Sequence, residues 1–286
     1  MITSERTGAR WPAKRRWRWA VTSAALLALG GIGVWFMVPR PAEAVAVTEP
    51  TSGQLDAFTE TSVLFGHQSV GMNILDGVEN VYRDAGREPP QIVEASDSPG
   101  GAAMVHAYVG ANGDPLGKFA DFRDLVDGPA GDAAAIALVK LCYTDITAST
   151  DAEAVFAEYT ELMADLERRH PDIAFLYATV PLTTDRSWRT NLKALFGSDD
   201  QMGPADNQAR ERYNTLIREE YAASGRLFDI AAVEATMETD PAVRTGDEAE
   251  YHVLNTALSS DAGHLNDVGG RIAAAELIRI VADLRS

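Results

Sequence analysis

Residues 62–75 read "SVLFGHQSVGMNIL", an apolar run followed by the start of a helical pattern. The run at 62–67 is typical of a buried strand, and apolar positions at helical spacing continue from 69 to 85. Ser69 lies at the junction, where the backbone N–H groups of a helix start lack partners and can stabilise an oxyanion. The stretch therefore allows two interpretations of Ser69: a helix cap, or a nucleophile at a strand-to-helix turn.

Strands and helices alternate along the rest of the chain. The predicted strands are nearly all apolar and cover 62–67, 91–96, 133–143, 173–182 and 226–234. Predicted helices cover 69–85, 116–127, a segment ending at His170, 205–222 and the C-terminal segment, and a glycine-rich loop is predicted at 97–115. This pattern predicts a three-layer α/β/α domain of flavodoxin-like type over 55–286, with a five-stranded parallel sheet. Ligands of such sheets bind beyond the carboxyl ends of the strands.

The charges divide the chain into a basic head and an acidic body. The formal net charge is −17; residues 1–44 carry seven Lys or Arg and two acids, so residues 45–286 carry −22. A body of this charge repels nucleic acid, and we expect no nucleic-acid partner. The single cysteine, Cys142, excludes an internal disulfide and cysteine-based zinc sites. No metal-ligand spacing or phosphate-binding glycine pattern is present either, so the sequence predicts no metal and no cofactor.

The head contains a possible membrane segment. Residues 20–38 are uncharged and follow a basic cluster in 1–19. At about 1.5 Å per residue they just reach across a hydrocarbon core of about 30 Å, with the N-terminus in the cytoplasm. The small residues "AEA" at 42–44 resemble a cleavage site, so an anchor and a cleaved signal peptide both remain open. Both predict a linker at 39–54 and a domain outside the cytoplasmic membrane, either held at the membrane or secreted.

A base and an acid for Ser69 occur near the C-terminus. A serine nucleophile needs a base, and the base needs an orienting acid. Asp261 and His264 stand three residues apart in "SSDAGHLNDVGG", directly before the last helix. If that helix packs against the sheet, this loop reaches the same edge as Ser69. The alternative is that Asp261 ends a turn and His264 is a surface histidine.

The serine after the first strand, the five predicted strands and the pattern D-x-x-H-L-N-x-x-G at 261–269 resemble the SGNH (GDSL-type) hydrolase superfamily. The resemblance covers roughly residues 60–284. It implies that Ser69 is the nucleophile, His264 the general base and Asp261 the orienting acid. It also implies an oxyanion donor from a glycine N–H after the second strand, which Gly100 or Gly101 would supply.

The chain departs from the family pattern in two places. "GHQS" at 66–69 lacks the usual aspartate before the serine, and "KLCYTDI" at 140–146 lacks the asparagine whose side chain donates to the oxyanion. Asn112 is a candidate replacement donor. His67 and His106 are candidates for contacting substrate in the cleft, although a packing role for His67 is favoured over direct catalysis. Lys140 lies inside an apolar strand and needs a partner, for which Asp145 and Asp97 are candidates.

The resemblance and the predicted location together imply a serine esterase acting outside the cytoplasmic membrane. Its expected partner is a small-molecule or carbohydrate ester, with lipid esters as a second class, and the N-terminal segment is its expected contact with the membrane. Two alternatives remain open. One is an O-acyltransferase that passes the acyl group to a sugar hydroxyl. The other is a carbohydrate-binding or assembly protein with a weak or vestigial site.

Overall fold

The computed structural model of the chain describes residues 49–97, 103–184, 201–236, 242–245 and 250–285. The predicted basic head, the possible membrane segment and most of the predicted linker lie outside these ranges, so their assignments stay predictions. Within these ranges, no helix combines the length and the apolar composition that crossing a membrane requires.

A six-stranded sheet forms the middle layer, and each pair of neighbouring strands is parallel. The strands are β1 (Val63–His67), β2 (Ile92–Glu94), β3 (Met104–Tyr108), β4 (Ile136–Val139), β5 (Ala174–Ala178) and β6 (Leu227–Phe228). Their order across the sheet is β2-β3-β1-β4-β5-β6. A separate antiparallel hairpin consists of β7 (Val243–Thr245) and β8 (Glu250–His252).

Helices cover both faces of the sheet, which confirms the predicted three-layer α/β/α fold. One layer contains α1 (Ser52–Thr59), α2 (Val70–Asp84), α7 (Ile230–Ala235) and α8 (Asp267–Asp283). The other contains α3 (Pro115–Asp127), the short α4 (Pro129–Asp132), α5 (Ala152–Arg169) and α6 (Pro204–Tyr221). Each layer packs apolar side chains against one sheet face, so the core consists of two slabs separated by the sheet.

The sheet has one strand more than the sequence predicts. β3 lies within the segment expected to be a glycine-rich loop, and it pairs with β1 from Val63↔Met104 to His67↔Tyr108. The sequence "MVHAY" is short and flanked by glycines, which concealed it as a strand. Because β3 is the neighbour of β1, the loop that follows β3 at 109–114 meets the Ser69 turn.

The predicted strands at 91–96, 133–143, 173–182 and 226–234 are all longer than the observed β2, β4, β5 and β6. The segment 133–143 pairs only over β4, and 226–234 pairs only over β6 before turning into α7. Asp229 ends β6 because its carboxylate accepts a hydrogen bond from Ala232 N–H at 3.0 Å and so caps α7. Apolar composition alone did not reveal this switch from strand to helix.

The last helix packs directly against α2, and glycines let the two backbones approach closely. A Cβ added at Gly77 would lie 2.2 Å from the carbonyl oxygen of Gly270, and one at Gly270 would lie 2.5 Å from that of Asn73. Gly270 and Asn73 each belong to the first turn of their helix. The first turns of the two helices are therefore neighbours.

We expect Gly77→Ala to lower the free energy of unfolding by about 1–3 kcal/mol, since the added methyl group would push the two backbones apart. Urea unfolding followed by circular dichroism measures the change. Gly53→Ala is the matched control, because a Cβ there meets no atom within 4 Å. That control should be neutral or slightly stabilising. Equal unfolding midpoints for the two variants would contradict the close approach of α2 and α8.

Candidate active site

Ser69 stands two residues after β1 and one residue before α2, and it is partly exposed. It occupies the N-cap position of α2, yet its side chain makes no cap hydrogen bond. The first turn is closed instead by backbone bonds from Gly71 N–H to Gln68 O and from Met72 N–H to Ser69 O. The hydroxyl is therefore not needed for capping, which removes the main support for the cap interpretation.

The residue before the serine ties the turn to the loop after β3. Gln68 donates two hydrogen bonds from Nε2, to the carbonyl oxygens of Val109 at 3.0 Å and Gly110 at 2.8 Å. Val109 N–H in turn donates to His67 O at 3.1 Å. The loop 109–114 is thus held beside the Ser69 turn, at the carboxyl edge of the sheet.

Asp261 and His264 form a hydrogen-bonded pair. Nδ1 of His264 lies 2.9 Å from both carboxylate oxygens of Asp261, and Asp261 Oδ1 also accepts the N–H groups of Gly263 and His264. Partial burial acts to raise the pKa of Asp261, but these hydrogen bonds outweigh it and lower the pKa. The bond to Asp261 places the Nδ1 proton between the two residues and leaves Nε2 of His264 as the basic nitrogen.

The loop that carries this pair is held at several points. Asn266 caps α8 by accepting Gly269 N–H at 3.0 Å, and its Nδ2 donates to Ala257 O at 2.8 Å. Thr184, in the segment after β5, donates its N–H to Ala262 O at 2.9 Å. His264 therefore lies on a fixed loop just before α8, and Ser69 lies just before α2. Because these two helix starts are neighbours, the fold brings the His264 loop and the Ser69 turn to one edge.

Asn112 belongs to a charged cluster in the loop after β3. The buried Lys118 Nζ lies 3.2 Å from Asn112 Oδ1 and 2.5 Å from Asp145 Oδ2. The Asp145 carboxylate also accepts Cys142 N–H at 2.5 Å and Gly113 N–H at 2.8 Å. A lysine ammonium group only donates, so the Asn112 atom facing it is the oxygen. The Asn112 Nδ2 donor points elsewhere, and Asn112 itself is exposed.

The prediction that His67 contacts substrate is wrong for this structure. Its side chain has no exposed surface, because it lies on the β1 face that α2 covers, and a Cβ at Gly71 would meet its ring at 2.3 Å. Burial, followed by the charge of Lys140 and the neighbouring His106, lowers the pKa of His67 to about 3. His67 is therefore a neutral packing residue beneath the first turn of α2.

His106 is the partner of His67 rather than a cleft residue. Its Nδ1 lies 3.2 Å from His67 Nε2, and only 7% of its surface is exposed. Burial lowers the pKa of His106 as well, so one neutral imidazole donates to the other. The expectation that His106 lines the substrate cleft is therefore not met, since its position inside β3 aims the ring at the helix layer.

Lys140 is fully buried, as expected, but its partner differs from the predicted one. Its Nζ donates to Leu141 O at 3.1 Å, and Asp145 is hydrogen-bonded to Lys118 instead. Burial lowers the pKa of Lys140. The sequence analysis did not single out Lys118. Like Lys140, it lies among apolar residues, in "LGKFADF", and this pattern indicates a buried lysine that needs a partner.

Gly100 and Gly101 lie outside the described residues, so their proposed oxyanion role stays a prediction. The segment they occupy precedes β3, whereas the loop observed beside Ser69 follows β3 at 109–114. The unpredicted strand β3 explains this difference, because the loop beside Ser69 follows β3 and not the second predicted strand.

Sequence reasoning also missed Tyr143, whose ring meets the His264 ring edge-on at a centroid distance of 6.2 Å.

Glu234 in α7 is a buried carboxyl group near the same edge. Its Oε2 accepts Leu182 N–H at 2.5 Å, and its Oε1 has no hydrogen-bond partner among the described residues. Burial raises the pKa of Glu234 to about 8, against 4.5 for an ordinary glutamate. The folded protein therefore keeps this proton at pH values where the unfolded chain has lost it.

The proton on Glu234 makes stability depend on pH. Its contribution is complete below about pH 4.5 and is lost as the pH rises to about 8, by up to about 1.4 kcal/mol per pH unit. We expect Glu234→Gln to flatten this part of the stability curve. Urea unfolding at pH 5, 6, 7 and 8 measures it, with the exposed Glu219→Gln as control. Parallel curves for the wild type and Glu234→Gln would contradict a neutral buried carboxyl.

No protein-family model and no curated protein matches the chain. Among solved structures, a Streptococcus pneumonia protein described provisionally as a platelet activating factor matches with 11% identity and a TM-score of 0.46, over 90% of this chain and 99% of the other. A protein of Desulfitobacterium hafniense DCB-2, described provisionally as a lipolytic protein of the G-D-S-L family, matches with 11% identity and a TM-score of 0.41, over 77% and 99%.

Both TM-scores are below 0.5, so neither likeness decides the family or the activity of this chain. The strand order and the two helix layers define the fold, and the contacts described above define the candidate site.

Proposed function

We propose that the chain is a serine ester hydrolase of the SGNH type. The observation that carries the proposal is the His264–Asp261 pair, which leaves Nε2 of His264 as a base, while the Ser69 hydroxyl makes no cap hydrogen bond. We infer that the two residues act together, because the helices that follow them, α2 and α8, approach closely at their first turns. A helix cap and a surface histidine would not need this arrangement. A serine, a base and an acid that orients the base are the components of nucleophilic acyl transfer.

The proposed reaction has two halves. Ser69 Oγ attacks the acyl carbonyl while His264 Nε2 takes its proton, and the protonated imidazole passes that proton to the leaving alkoxide. Asp261 holds the imidazole and stabilises its positive charge. Water then attacks the acyl-serine with His264 as base, which releases the acid and restores Ser69.

The oxyanion needs at least two donors in this scheme. Ser69 N–H is the first, because it lies at the start of α2. We assign the second to Asn112 Nδ2, since Lys118 holds the amide oxygen and the loop 109–114 adjoins the serine turn. Lys118 also neutralises Asp145, whose carboxylate would otherwise oppose a developing negative charge. The vestigial-site alternative relied on a missing donor, and Asn112 weakens that reason.

The proposed substrate is an ester of a carbohydrate or a lipid outside the cytoplasmic membrane. Support for the location comes from the basic and uncharged segments at 1–38. The test uses the full-length chain with p-nitrophenyl acetate, butyrate and octanoate. Ester cleavage well above the buffer rate is expected, and no cleavage of any of them would contradict the proposal. Faster ester consumption on adding a sugar acceptor would favour acyl transfer over hydrolysis.

We expect Asn112→Ala to lower kcat by about 10²–10³-fold while KM changes little, because an oxyanion donor acts mainly in the transition state. Steady-state kinetics with p-nitrophenyl acetate measure both constants. Asn80→Ala, which removes a remote amide bonded to Arg83, is the control and should retain wild-type rates. A kcat unchanged by Asn112→Ala would remove Asn112 from the oxyanion site.

A further inference from the structure

A buried arginine connects the loops around the candidate site. Arg210 lies in α6 and its side chain has no exposed surface. Its Nε donates to Tyr143 O at 2.9 Å, its Nη1 donates to Thr183 Oγ1 at 3.0 Å and Asn207 Oδ1 at 2.7 Å, and its Nη2 donates to Gln201 O. Burial lowers the pKa of Arg210 to about 10, so the group stays charged at neutral pH.

The acceptors of Arg210 lie on separate segments at the carboxyl edge of the sheet. Tyr143 follows β4, Thr183 follows β5, and Gln201 precedes α6. Asn207 also holds the segment after β5, because its Nδ2 donates to Thr183 O at 2.9 Å. One planar guanidinium group thus binds three separate connections at this edge.

Two of these connections contact the loop of the catalytic pair. Thr184 donates its N–H to Ala262 O at 2.9 Å, directly after the Thr183 that Arg210 holds. The Tyr143 ring packs against Gly263, where a Cβ would lie 2.5 Å from Cε1, and meets the His264 ring at 81°. Ala262, Gly263 and His264 are therefore positioned from outside by segments that Arg210 binds.

We propose that Arg210 is a positioning residue for the base: by holding Tyr143 and Thr183 it fixes where the His264 imidazole lies relative to Ser69. The inference rests on the proposed function, because positioning matters only if His264 is the base. Geometric displacement of about 1 Å in such a group can cost about 10²-fold in rate. The rigid fork of an arginine suits this role, whereas a lysine offers one flexible point charge.

The same helix provides a matched control. Arg218 lies two turns further along α6 and pairs with Glu211 and Asp229, each at 2.7 Å. It contributes ion pairs to the same helix but binds neither Tyr143 nor Thr183. A general loss of stability in α6 should therefore follow from either arginine, whereas displacement of the base should follow only from Arg210.

The experiment compares full-length Arg210→Met, Arg210→Lys, Tyr143→Phe, Tyr143→Leu and Arg218→Met by steady-state kinetics with p-nitrophenyl acetate from pH 5 to 9. We expect Arg210→Met and Tyr143→Leu to lower kcat by about 10–10²-fold, to change KM by less than about threefold, and to move the acid limb of the pH profile. Tyr143→Phe keeps the ring and should behave like the wild type. Arg210→Lys should recover only part of the rate.

Two outcomes would overturn the inference: equal kcat values and pH profiles for Arg210→Met and Arg218→Met, or a Tyr143→Leu variant with the wild-type profile. If Arg210→Met does not fold, Tyr143→Leu and Arg210→Lys decide by the same criteria. Ser69→Ala separates this test from that of the proposed function. Full activity in Ser69→Ala removes the esterase proposal, whereas loss there with normal Tyr143→Leu removes only the role of Arg210.

Discussion

Ser69→Ala is expected to lower kcat/KM for p-nitrophenyl acetate by about 10⁴-fold or more, since removing the nucleophile of a serine hydrolase leaves only residual catalysis by the rest of the site. The structural reason is the Ser69 hydroxyl after the carboxyl end of β1, which makes no cap hydrogen bond. Ser224→Ala is the control, because Ser224 lies before β6 and bonds only within its own turn.

The same variant separates the nucleophile from the cap. A serine that caps a helix contributes about 1 kcal/mol to stability, and its loss would leave activity intact. Because Ser69 makes no cap hydrogen bond, we expect the free energy of unfolding of Ser69→Ala to stay within about 0.5 kcal/mol of the wild type. A destabilised but fully active variant would restore the cap interpretation.

His264→Ala is expected to lower kcat/KM by about 10³-fold or more, and Asp261→Asn by about 10²–10⁴-fold, because the base and the residue that orients it act as a unit. Their pairing, with Nδ1 2.9 Å from both carboxylate oxygens, predicts that the two losses do not add in the double variant. Steady-state kinetics of the two single variants and the double variant measure this coupling.

A second histidine–carboxylate pair provides the control. His252 Nδ1 lies 2.8 Å from Glu211 Oε2, so this pair joins β8 to α6. His252→Ala should therefore retain wild-type activity. Equal losses in His252→Ala and His264→Ala would mean that both histidines act through stability alone, and additive losses for His264 and Asp261 would contradict their action as a unit.

The parts of the fold that the sequence predicts are those with local signals. Long apolar runs and helical spacing located β1, β4, β5 and all the long described helices to within a few residues. Local sequence patterns fail where contacts with distant segments determine the structure. "MVHAY" forms β3 because it pairs with β1. The patterns also fail at Asp229, where one hydrogen bond turns an apolar run from strand to helix.

The same distinction between local signals and long-range contacts applies to the candidate site. Ser69, Asp261 and His264 could be named as candidates because their motifs are local, and Asn112 because it is the asparagine of the predicted glycine-rich loop. The contacts that hold these residues in place could not be predicted. Lys118 and Asp145 are 27 positions apart, and Arg210 and Tyr143 are 67 positions apart, so only the fold brings each pair together. His67 was misjudged because the direction of a side chain at a strand end depends on the helix that covers it.

Covalent labelling with a fluorophosphonate tests the central claim most directly, because the probe reacts with an activated serine whatever the natural substrate is. Mass spectrometry of the digested full-length protein should find one adduct, on Ser69, that disappears in Ser69→Ala. Labelling should be much slower in His264→Ala and unchanged in His252→Ala. An unlabelled Ser69 in protein that cleaves p-nitrophenyl acetate, or an adduct on a different serine, would contradict the account.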